Sequence, residues 1–284
     1  MNRPRIRKSL LLSAWFSEPD LRQYLQMRGH HTPLELEALI DAYHAARSLH
    51  EQAPPWGDSE HVEIGAPPQG VANRVAQLET QAVQRGWLDK LPHEVVIASL
   101  SELRAFQFTV DRPYAGSFRV EPHATLETLG LITLPDQPPA FPLQVSGDGS
   151  GLMVSAPGPN LRVQGMALEG QPGFTRLTVD ITFGSPFVQV AELDGRMLLK
   201  NGYHRAVGLL AQGVTHAPVL LVHCKNYPET GAAGQGFFAP EIVMGEKPPL
   251  VKHYLSRYAF EFNAVEMHKA IRLRPDEFQI AIPE

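Results

Sequence analysis

Cysteine and long apolar runs are both scarce in this sequence. Its 284 residues include one cysteine, Cys224, which excludes an internal disulfide and makes a cysteine-based zinc site implausible. A reducing cytoplasm is therefore the expected compartment. The sequence has no run of about 18 apolar residues, so no membrane-spanning helix is expected. The apolar run Leu10-Leu11-Leu12, which follows basic residues, is too short for a secretion signal.

An excess of basic residues is also missing. The net charge is -5 and the isoelectric point is near 6.2, which disfavours broad electrostatic binding to nucleic acid, although a local basic face stays open. None of the 12 histidines has the His-x-x-x-His spacing that brings two ligands to one metal on a helix, and we predict no metal site. A hydrophobic fraction of 43% is typical of a chain that folds around a core.

Helix signals dominate residues 1–92. Ser17 is followed by an acidic residue, a proline and Asp20, while Thr32-Pro33-Leu34-Glu35 combines a capping box with proline at the first helical position. Apolar residues then recur at helical spacing to about residue 49, and again over residues 71–85 before Gly86. We therefore predict an N-terminal helical region over residues 1–92.

The pattern changes after residue 92, where short apolar or alternating segments are typical of strands. The predicted strands are residues 95–98, with an apolar pattern continuing over 100–108, and then 161–168, 175–183, 187–193, 196–200, 217–223 and 270–282. Residues 135–159 are rich in proline and glycine and predict a loop, and residues 250–258 predict a helix. Residues 93–284 therefore predict an α+β domain, in which helices pack on a small mixed sheet.

A strand, a tight turn and a helix start meet at Asn201-Gly202. The strand before this turn returns from a hairpin at Asp194-Gly195, and residues 203–212 predict a short amphipathic helix that ends at Gly213. The side chains of the residues after Gly202 then lie on the first helical turn. The unpaired N–H groups and the positive dipole end of such a turn favour a phosphate or another anion.

Residues 188–222, with Gly202-Tyr203-His204-Arg205 near their centre, resemble the ParB/sulfiredoxin-like superfamily, whose members carry a Gly-x-x-Arg turn between a strand and a helix. The resemblance implies a ParB/sulfiredoxin-like fold and a bound nucleoside triphosphate, CTP or ATP, with Mg²⁺ as an optional companion. Carried over to this chain, it makes Asn201, Gly202, Tyr203, His204 and Arg205 candidate nucleotide-binding residues. His204 and Arg205 are also the candidate catalytic residues, because both would contact phosphate oxygens.

Tyr203 departs from the family pattern. It stands where sulfiredoxins have a reactive cysteine and where ParB proteins have an acidic residue, so neither sulfiredoxin chemistry nor ParB-type hydrolysis is expected. The sequence also shows no counterpart of the second ParB phosphate motif or of the ParB helix-turn-helix domain. A role in chromosome segregation is therefore not expected.

Functions of different classes remain open for this turn. The first is a ligand-sensing or regulatory nucleotide-binding protein in a bacterial setting, whose N-terminal helices dock a protein partner. The segment Gln84–Leu88 is similar to the end of effector-associated domains, the small adaptors of bacterial conflict systems, which agrees with such a partner. The alternative is an NTP-dependent hydrolase or phosphotransferase that uses Arg205 and His204 to stabilise phosphate charge. A nuclease is a weaker alternative.

Polar residues outside the turn are further candidates. Glu192 and Asp194, in the preceding hairpin, have the chemistry to hold a metal or to act as a base, although such residues are more often solvated turn charges. Arg104, Gln107 and Asp111 are candidates for the lining of a pocket, and ordinary surface positions are the alternative for them.

Overall fold

The computed structural model describes residues 4–56, 64–84, 88, 91–137, 144–147, 151–157, 161–234, 236–274 and 276. Its α-helices are α1 (Glu18–Arg28), α2 (Pro33–Gln52), α3 (Gln69–Gln84), α4 (Arg112–Ala115), α5 (Leu126–Thr133), α6 (Tyr203–Leu210) and α7 (Pro240–Val243). Its strands are β1 (Ile6–Leu11), β2 (Ile64–Gly65), β3 (His93–Ser99), β4 (Thr109–Asp111), β5 (Gln144–Gly147), β6 (Leu152–Pro157), β7 (Leu161–Gln171), β8 (Phe174–Phe183), β9 (Gln189–Leu193), β10 (Arg196–Asn201), β11 (His216–His223), β12 (Phe260–Val265) and β13 (His268–Leu273). The fold is therefore α+β, as the sequence predicts.

The chain divides into two compact units. Unit one comprises Met1–Gln137 and Pro186–Val265, and unit two comprises Pro138–Ser185 and Glu266–Glu284. The predicted boundary at residue 92 is not where the contacts divide the chain, because α1 and α2 pack their apolar faces into the same core as the later strands. None of the helices in the described ranges is long and apolar enough to cross a lipid bilayer.

Two sheets form the framework of unit one. The larger has the strand order β10-β9-β11-β3-β2, in which β11 runs parallel to β9 and the other pairs are antiparallel. The smaller is antiparallel with the order β12-β1-β4. The helix α6 joins β10 to β11. Together, β10 and α6 carry the chain from β9 to its parallel neighbour β11. Such a connection is needed because two parallel strands cannot be joined by a tight hairpin.

The N-terminal helices begin where the sequence predicts. The Ser17 hydroxyl accepts a hydrogen bond from the Asp20 N–H at 3.3 Å, and Thr32 and Glu35 form the predicted capping box at the start of α2. These caps satisfy N–H groups that a helix start leaves without an intrahelical acceptor. The helix α3 is also observed, whereas Arg85 and Gly86, its predicted end, lie outside the described residues, as does most of the adaptor-like segment Gln84–Leu88.

Aromatic side chains connect the N-terminal helices to the later chain. Trp15 donates its indole N–H to the Lys247 carbonyl at 2.7 Å, and Trp56 donates to the Pro248 carbonyl at 2.7 Å. The Trp15 ring also stacks on His253, with centroids 5.2 Å apart. Burial of the Trp15 indole with a satisfied N–H group stabilises this contact. It helps to explain why α1 and α2 belong to the same unit as the later strands.

Several sequence predictions are wrong in detail. No strand signal was found in the sequence for Ile6–Leu11, which form β1 between β12 and β4 ahead of the first predicted helix. The stretch 135–159, predicted as a loop, contains β5 and β6, since its prolines and glycines flank short strands that pair with each other. Residues 250–258 form only a short 3₁₀ helix, Val251–Leu255, in which the His253 Nδ1 accepts the Leu250 N–H.

The apolar pattern of residues 100–108 is not a continuation of β3. The chain turns after Ser99, and Arg104 makes isolated bridges to Leu198 and Leu250 before the short strand β4. The pattern arises because this segment crosses the core, where Leu100, Leu103 and other apolar residues are buried. The closing strand predicted over 270–282 begins earlier, as β13, and its predicted part beyond residue 276 lies outside the described residues.

Unit two contains a three-stranded antiparallel sheet and a two-stranded ribbon. The sheet has the order β13-β6-β5, and the ribbon consists of β7 and β8. The small core of this unit contains Val154 and Ala156 of β6 with Leu161 of β7, and Ile181 and Ile271 pack against them. The predicted strands over residues 161–168 and 175–183 are therefore confirmed, and both are longer than expected.

Gly208, within α6, provides a test of this packing. A Cβ atom at this position would lie 2.2 Å from the Ala115 carbonyl oxygen, so the backbone of α4 must move to admit it. We expect Gly208→Ala to lower the free energy of unfolding by about 1–3 kcal/mol, although alanine is the better helix former. Urea denaturation measures the change.

The matched control is Gly70→Ala in α3, where a Cβ atom would have no neighbour within 4 Å. This variant is expected to leave the free energy of unfolding unchanged or to raise it by less than about 1 kcal/mol. Equal effects at the two positions would contradict the close packing of α6 on α4.

Candidate functional site

The predicted strand–turn–helix junction is present. Asp194 and Gly195 connect β9 to β10 with φ angles of 52° and 74°, as a two-residue hairpin turn of this kind requires. The strand β10 then ends at Asn201, and Gly202 precedes α6 with a φ of 93°. The helix α6 stops at Leu210, two residues before its predicted end, and the turn at Gly213 leads to β11. The sequence therefore predicted this junction almost residue by residue.

Gly202 is explained by packing as well as by its turn conformation. A Cβ atom at this position would lie 2.7 Å from the Val188 Cγ2 and 2.9 Å from the Val188 Cα. The positive φ also disfavours any residue with a Cβ atom. The glycine thus lets the helix start approach the backbone just before β9, and this role does not need a ligand.

Asn201 and Tyr203 face the protein rather than the solvent. The Asn201 side-chain amide donates to the Phe187 carbonyl at 3.1 Å. Tyr203 is 3% exposed, and its hydroxyl oxygen accepts the N–H of Phe106 at 2.9 Å and that of Gln107 at 3.4 Å. Burial raises the pKa of the Tyr203 phenol above its ordinary value. A phenol held in this way is not positioned to act as a nucleophile.

His204 is tied to the start of α4. Its Nε2 accepts the Asp111 N–H at 3.1 Å, and its ring lies 4.9 Å from the ring of Tyr114. Burial lowers the pKa of His204 to about 4, against the opposing attraction of the Asp111 carboxylate. The imidazole is therefore neutral at pH 7, and its proton resides on Nδ1 because Nε2 is an acceptor.

Arg205 carries a buried positive charge that has no carboxylate partner in the described part of the chain. The side chain is 8% exposed, its Nη1 donates to the Pro186 carbonyl, and its guanidinium carbon lies 5.3 Å from the centre of the Phe118 ring. Among the described residues no aspartate or glutamate forms an ion pair with it. Burial lowers the pKa of Arg205, and only the phenol of Tyr114 opposes this effect.

The backbone at the start of α6 adds unpaired donors. The N–H groups of Tyr203, His204 and Arg205 have no intrahelical acceptor, and in the described part of the chain no other group accepts them. The first intrahelical bond runs from the Ala206 N–H to the Gly202 carbonyl at 3.0 Å. The helix start therefore combines free N–H groups, the positive dipole end and a nearby guanidinium, which together favour an anion.

The candidate lining residues divide into two groups. Gln107 and Asp111 lie against the junction through their bonds to Tyr203 and His204. The Asp111 carboxylate also caps α4 through the Tyr114 N–H at 2.7 Å and pairs with Arg7 at 3.2 Å. The Arg104 guanidinium instead donates to the Val243 carbonyl at 2.8 Å. It is a structural residue and does not line the junction.

Sequence reasoning missed the residues that surround Arg205. Tyr114 and Phe118 come from α4 and the turn after it, and Pro186 precedes β9. The pattern Asp111-Arg112-Pro113, a capping residue followed by proline in the first turn, was a usable signal for α4. No sequence signal places Pro186 beside Arg205, because that contact depends on the path of the chain into β9.

Glu192 and Asp194 do not join the junction. The Glu192 Oε1 accepts the Gly195 N–H at 3.0 Å, and its Oε2 lies 3.3 Å from His223 Nδ1. A strand rises about 3.3 Å per residue, so the hairpin tip is roughly 20 Å along β10 from Gly202. No group of three or more candidate ligands suited to a metal occurs among the described residues, and the Glu192 carboxylate serves the hairpin turn.

A groove of about 440 Å³ lies beside the later part of α6. Val207, Gly208 and Ala211 form its helical wall, and Tyr254 and Phe260 lie among its other lining residues. The groove does not include the residues from Asn201 to Arg205. The helix start at Gly202 and this groove are therefore separate features of α6.

His204 predicts a pH dependence of stability. Its pKa is about 4 in the folded chain and near 6.5 when it is exposed, so the unfolded state binds more protons between these values. The stability that neutral His204 contributes is then fully present above pH 6.5 and is lost as the pH falls towards 4. We expect His204→Gln to reduce the slope of unfolding free energy against pH by up to about 1.4 kcal/mol per unit, measured by urea denaturation.

The comparison is made first near pH 8, where the imidazole is neutral in both states and any difference reports packing alone. Parallel curves for the wild type and His204→Gln between pH 6.5 and pH 4 would show that His204 does not titrate in this way.

The chain has no match among protein-family models, curated proteins or solved structures. The ParB/sulfiredoxin-like resemblance of residues 188–222 thus remains an expectation from the sequence. The contacts of Asn201, Tyr203, His204 and Arg205 are the observations that bear on function.

Proposed function

We propose that this chain binds the phosphate groups of a nucleoside triphosphate at the start of α6 and acts as a ligand-sensing or regulatory protein. The observation that carries the proposal is Arg205, a guanidinium that is 8% exposed and has no described carboxylate partner. The resemblance of Gly202-Tyr203-His204-Arg205 to the Gly-x-x-Arg turn adds CTP and ATP as the first ligands to test.

The energetic argument concerns an uncompensated charge. Removing a guanidinium from water costs free energy, and the Pro186 carbonyl with the Phe118 ring offsets only part of that cost. A phosphate at the helix start would supply the missing negative charge and accept the N–H groups of the first turn. Ligand binding would therefore stabilise a part of the fold that is electrostatically incomplete without it.

Binding fits this geometry better than catalysis. The His204 Nε2 already accepts the Asp111 N–H, and its lowered pKa makes the imidazole a weak base. The Tyr203 hydroxyl is buried and occupied by two backbone N–H groups. Neither group is free to activate a water molecule, so hydrolysis, phosphotransfer and nuclease activity have less support than sensing.

A sensing role also requires a partner, and we propose that the outward face of α1 and α2 supplies its contact surface. Both helices bury one apolar face in the core, through Leu21 and Leu25 of α1 and Ile40 of α2. Their outward side chains include Met27, 64% exposed, and Leu34, 82% exposed. These apolar positions give a docking protein something to bury.

Calorimetric titration with CTP, ATP and GTP, with and without Mg²⁺, tests the proposal on the wild type and Arg205→Lys. Lysine keeps the charge but loses the two parallel donors that grip a phosphate. We expect micromolar to millimolar binding of at least one nucleotide, and a dissociation constant raised about tenfold or more in the variant.

The matched control is Arg74→Lys, since Arg74 also donates to backbone carbonyls, those of Gly130 and Leu134, but lies on α3. If the wild type binds none of the three nucleotides CTP, ATP and GTP, the proposal is wrong. An equal loss of affinity in both arginine variants would show that Arg205 acts through the fold alone.

Phosphate release separates the sensor from the enzyme. In the same nucleotide mixtures we expect no release above the spontaneous rate, because the imidazole of His204 and the phenol of Tyr203 are both engaged with backbone N–H groups. A malachite-green assay over several hours measures it. Release that depends on Mg²⁺ and is lost in Arg205→Lys would instead support the hydrolase alternative.

A further inference from the structure

The ribbon β7–β8 of unit two has one apolar face and one polar face. Cross-strand pairs share a face, and the register pairs Val163 with Ile181, Met166 with Val179, and Leu168 with Leu177. The opposite face carries the pairs Arg162 with Thr182, Ala167 with Thr178, Glu169 with Arg176, and Gln171 with Phe174. The charged residues of the ribbon in this register therefore lie on the second face.

A β-bulge in β7 places the apolar and the charged side chains on different faces of the ribbon. The register shifts between Val163 and Gly165, where β7 has one more residue than β8. Strict alternation from Val163 would place Gly165, Ala167 and Glu169 on the apolar face. The extra residue moves Met166 and Leu168 onto that face instead, opposite their apolar partners on β8. A bulge that changes which side chains share a face is a specific feature of a sheet, not a defect.

The apolar face extends beyond the core of its own unit. At the base of the ribbon, Leu161 is 0% exposed and Ile181 packs in the same cluster. Farther along the same face, Met166 is 70%, Leu168 73% and Leu177 61% exposed. In the described part of the chain nothing covers these side chains. A contiguous apolar face exposed to this extent on a thin ribbon is typical of an interaction surface.

The charge distribution selects the kind of occupant. The uncovered part of the face carries no charged side chain, so it offers nothing to phosphates or to a charged peptide. The charges lie on the other side, where Glu169 is paired directly with Arg176 across the strands. An uncharged apolar surface is complementary to itself, which is the condition for a contact around a two-fold axis.

We propose that the apolar face of the ribbon β7–β8 is a homodimer interface, in which Met166, Leu168, Leu177 and Val179 pack against the same face of a second copy. Each copy would continue its small core across the interface, because the buried base and the exposed tip belong to one face. This assembly is independent of ligand binding at α6.

Sedimentation velocity on the full-length chain over a wide range of concentrations tests this interface. We expect a reversible dimer for the wild type, and a dissociation constant raised about tenfold or more by Leu168→Glu or Leu177→Glu. The matched controls are Ala167→Glu and Thr178→Glu, which place the same charge on neighbouring positions of the opposite face. These controls are expected to dimerise like the wild type. Circular dichroism melting curves verify that all four variants fold.

Disulfide trapping distinguishes face-to-face packing from pairing along the ribbon edges. In a Cys224→Ser background, oxidation is expected to link copies through Met166→Cys and not through Ala167→Cys. A wild type that stays monomeric at its highest attainable concentration overturns the proposal, and flotation with phosphatidylcholine vesicles would then assign the face to lipid. Dimers that persist equally in all four glutamate variants, or equal trapping at both cysteines, place the interface elsewhere and also overturn it.

Discussion

The first turn of α6 is held by hydrogen bonds between side chains and backbone. Asn201 donates to the carbonyl of Phe187, and Arg205 to that of Pro186, while Tyr203 and His204 accept N–H groups from the chain that enters α4. The junction thereby fixes two segments that are distant in sequence. The same contacts limit the chemistry of the junction. Side chains that hold the backbone in place through hydrogen bonds are not available as acids, bases or nucleophiles.

These contacts are the reason why we propose binding, and not catalysis, at the junction. Among the described residues, no group accepts the backbone N–H groups of the first turn, whereas the imidazole of His204 and the phenol of Tyr203 are engaged with backbone N–H groups. A buried guanidinium without a carboxylate is tolerated at a cost that an anion would offset. A ligand at this turn would also affect the segment before β9 and the start of α4, since both are hydrogen-bonded to the same turn.

The two units differ in the size of the apolar core that their described residues form. In unit one, helices and two sheets share one large core that includes α1 and α2, whereas α3 packs into a second cluster with Phe187 and Leu220. Among its described residues, unit two has a small core, and the apolar face of its ribbon extends beyond that core. Covering more apolar surface adds stability to a small core. An interface on the ribbon would serve that need as well as any regulatory one.

Local signals in the sequence determined the helix caps at Ser17 and Thr32, the hairpin at Asp194-Gly195 and the turn at Gly202, because each depends on the conformation of a few neighbouring residues. Tertiary structure alone decided that Ile6–Leu11 form a strand, that α1 and α2 join the main core, and that Arg205 meets Pro186 and Phe118. These outcomes depend on strand pairing and burial between segments far apart in the chain, which no local pattern specifies. The sequence thus placed the strand–turn–helix junction, and only the fold showed that its histidine and tyrosine make structural hydrogen bonds.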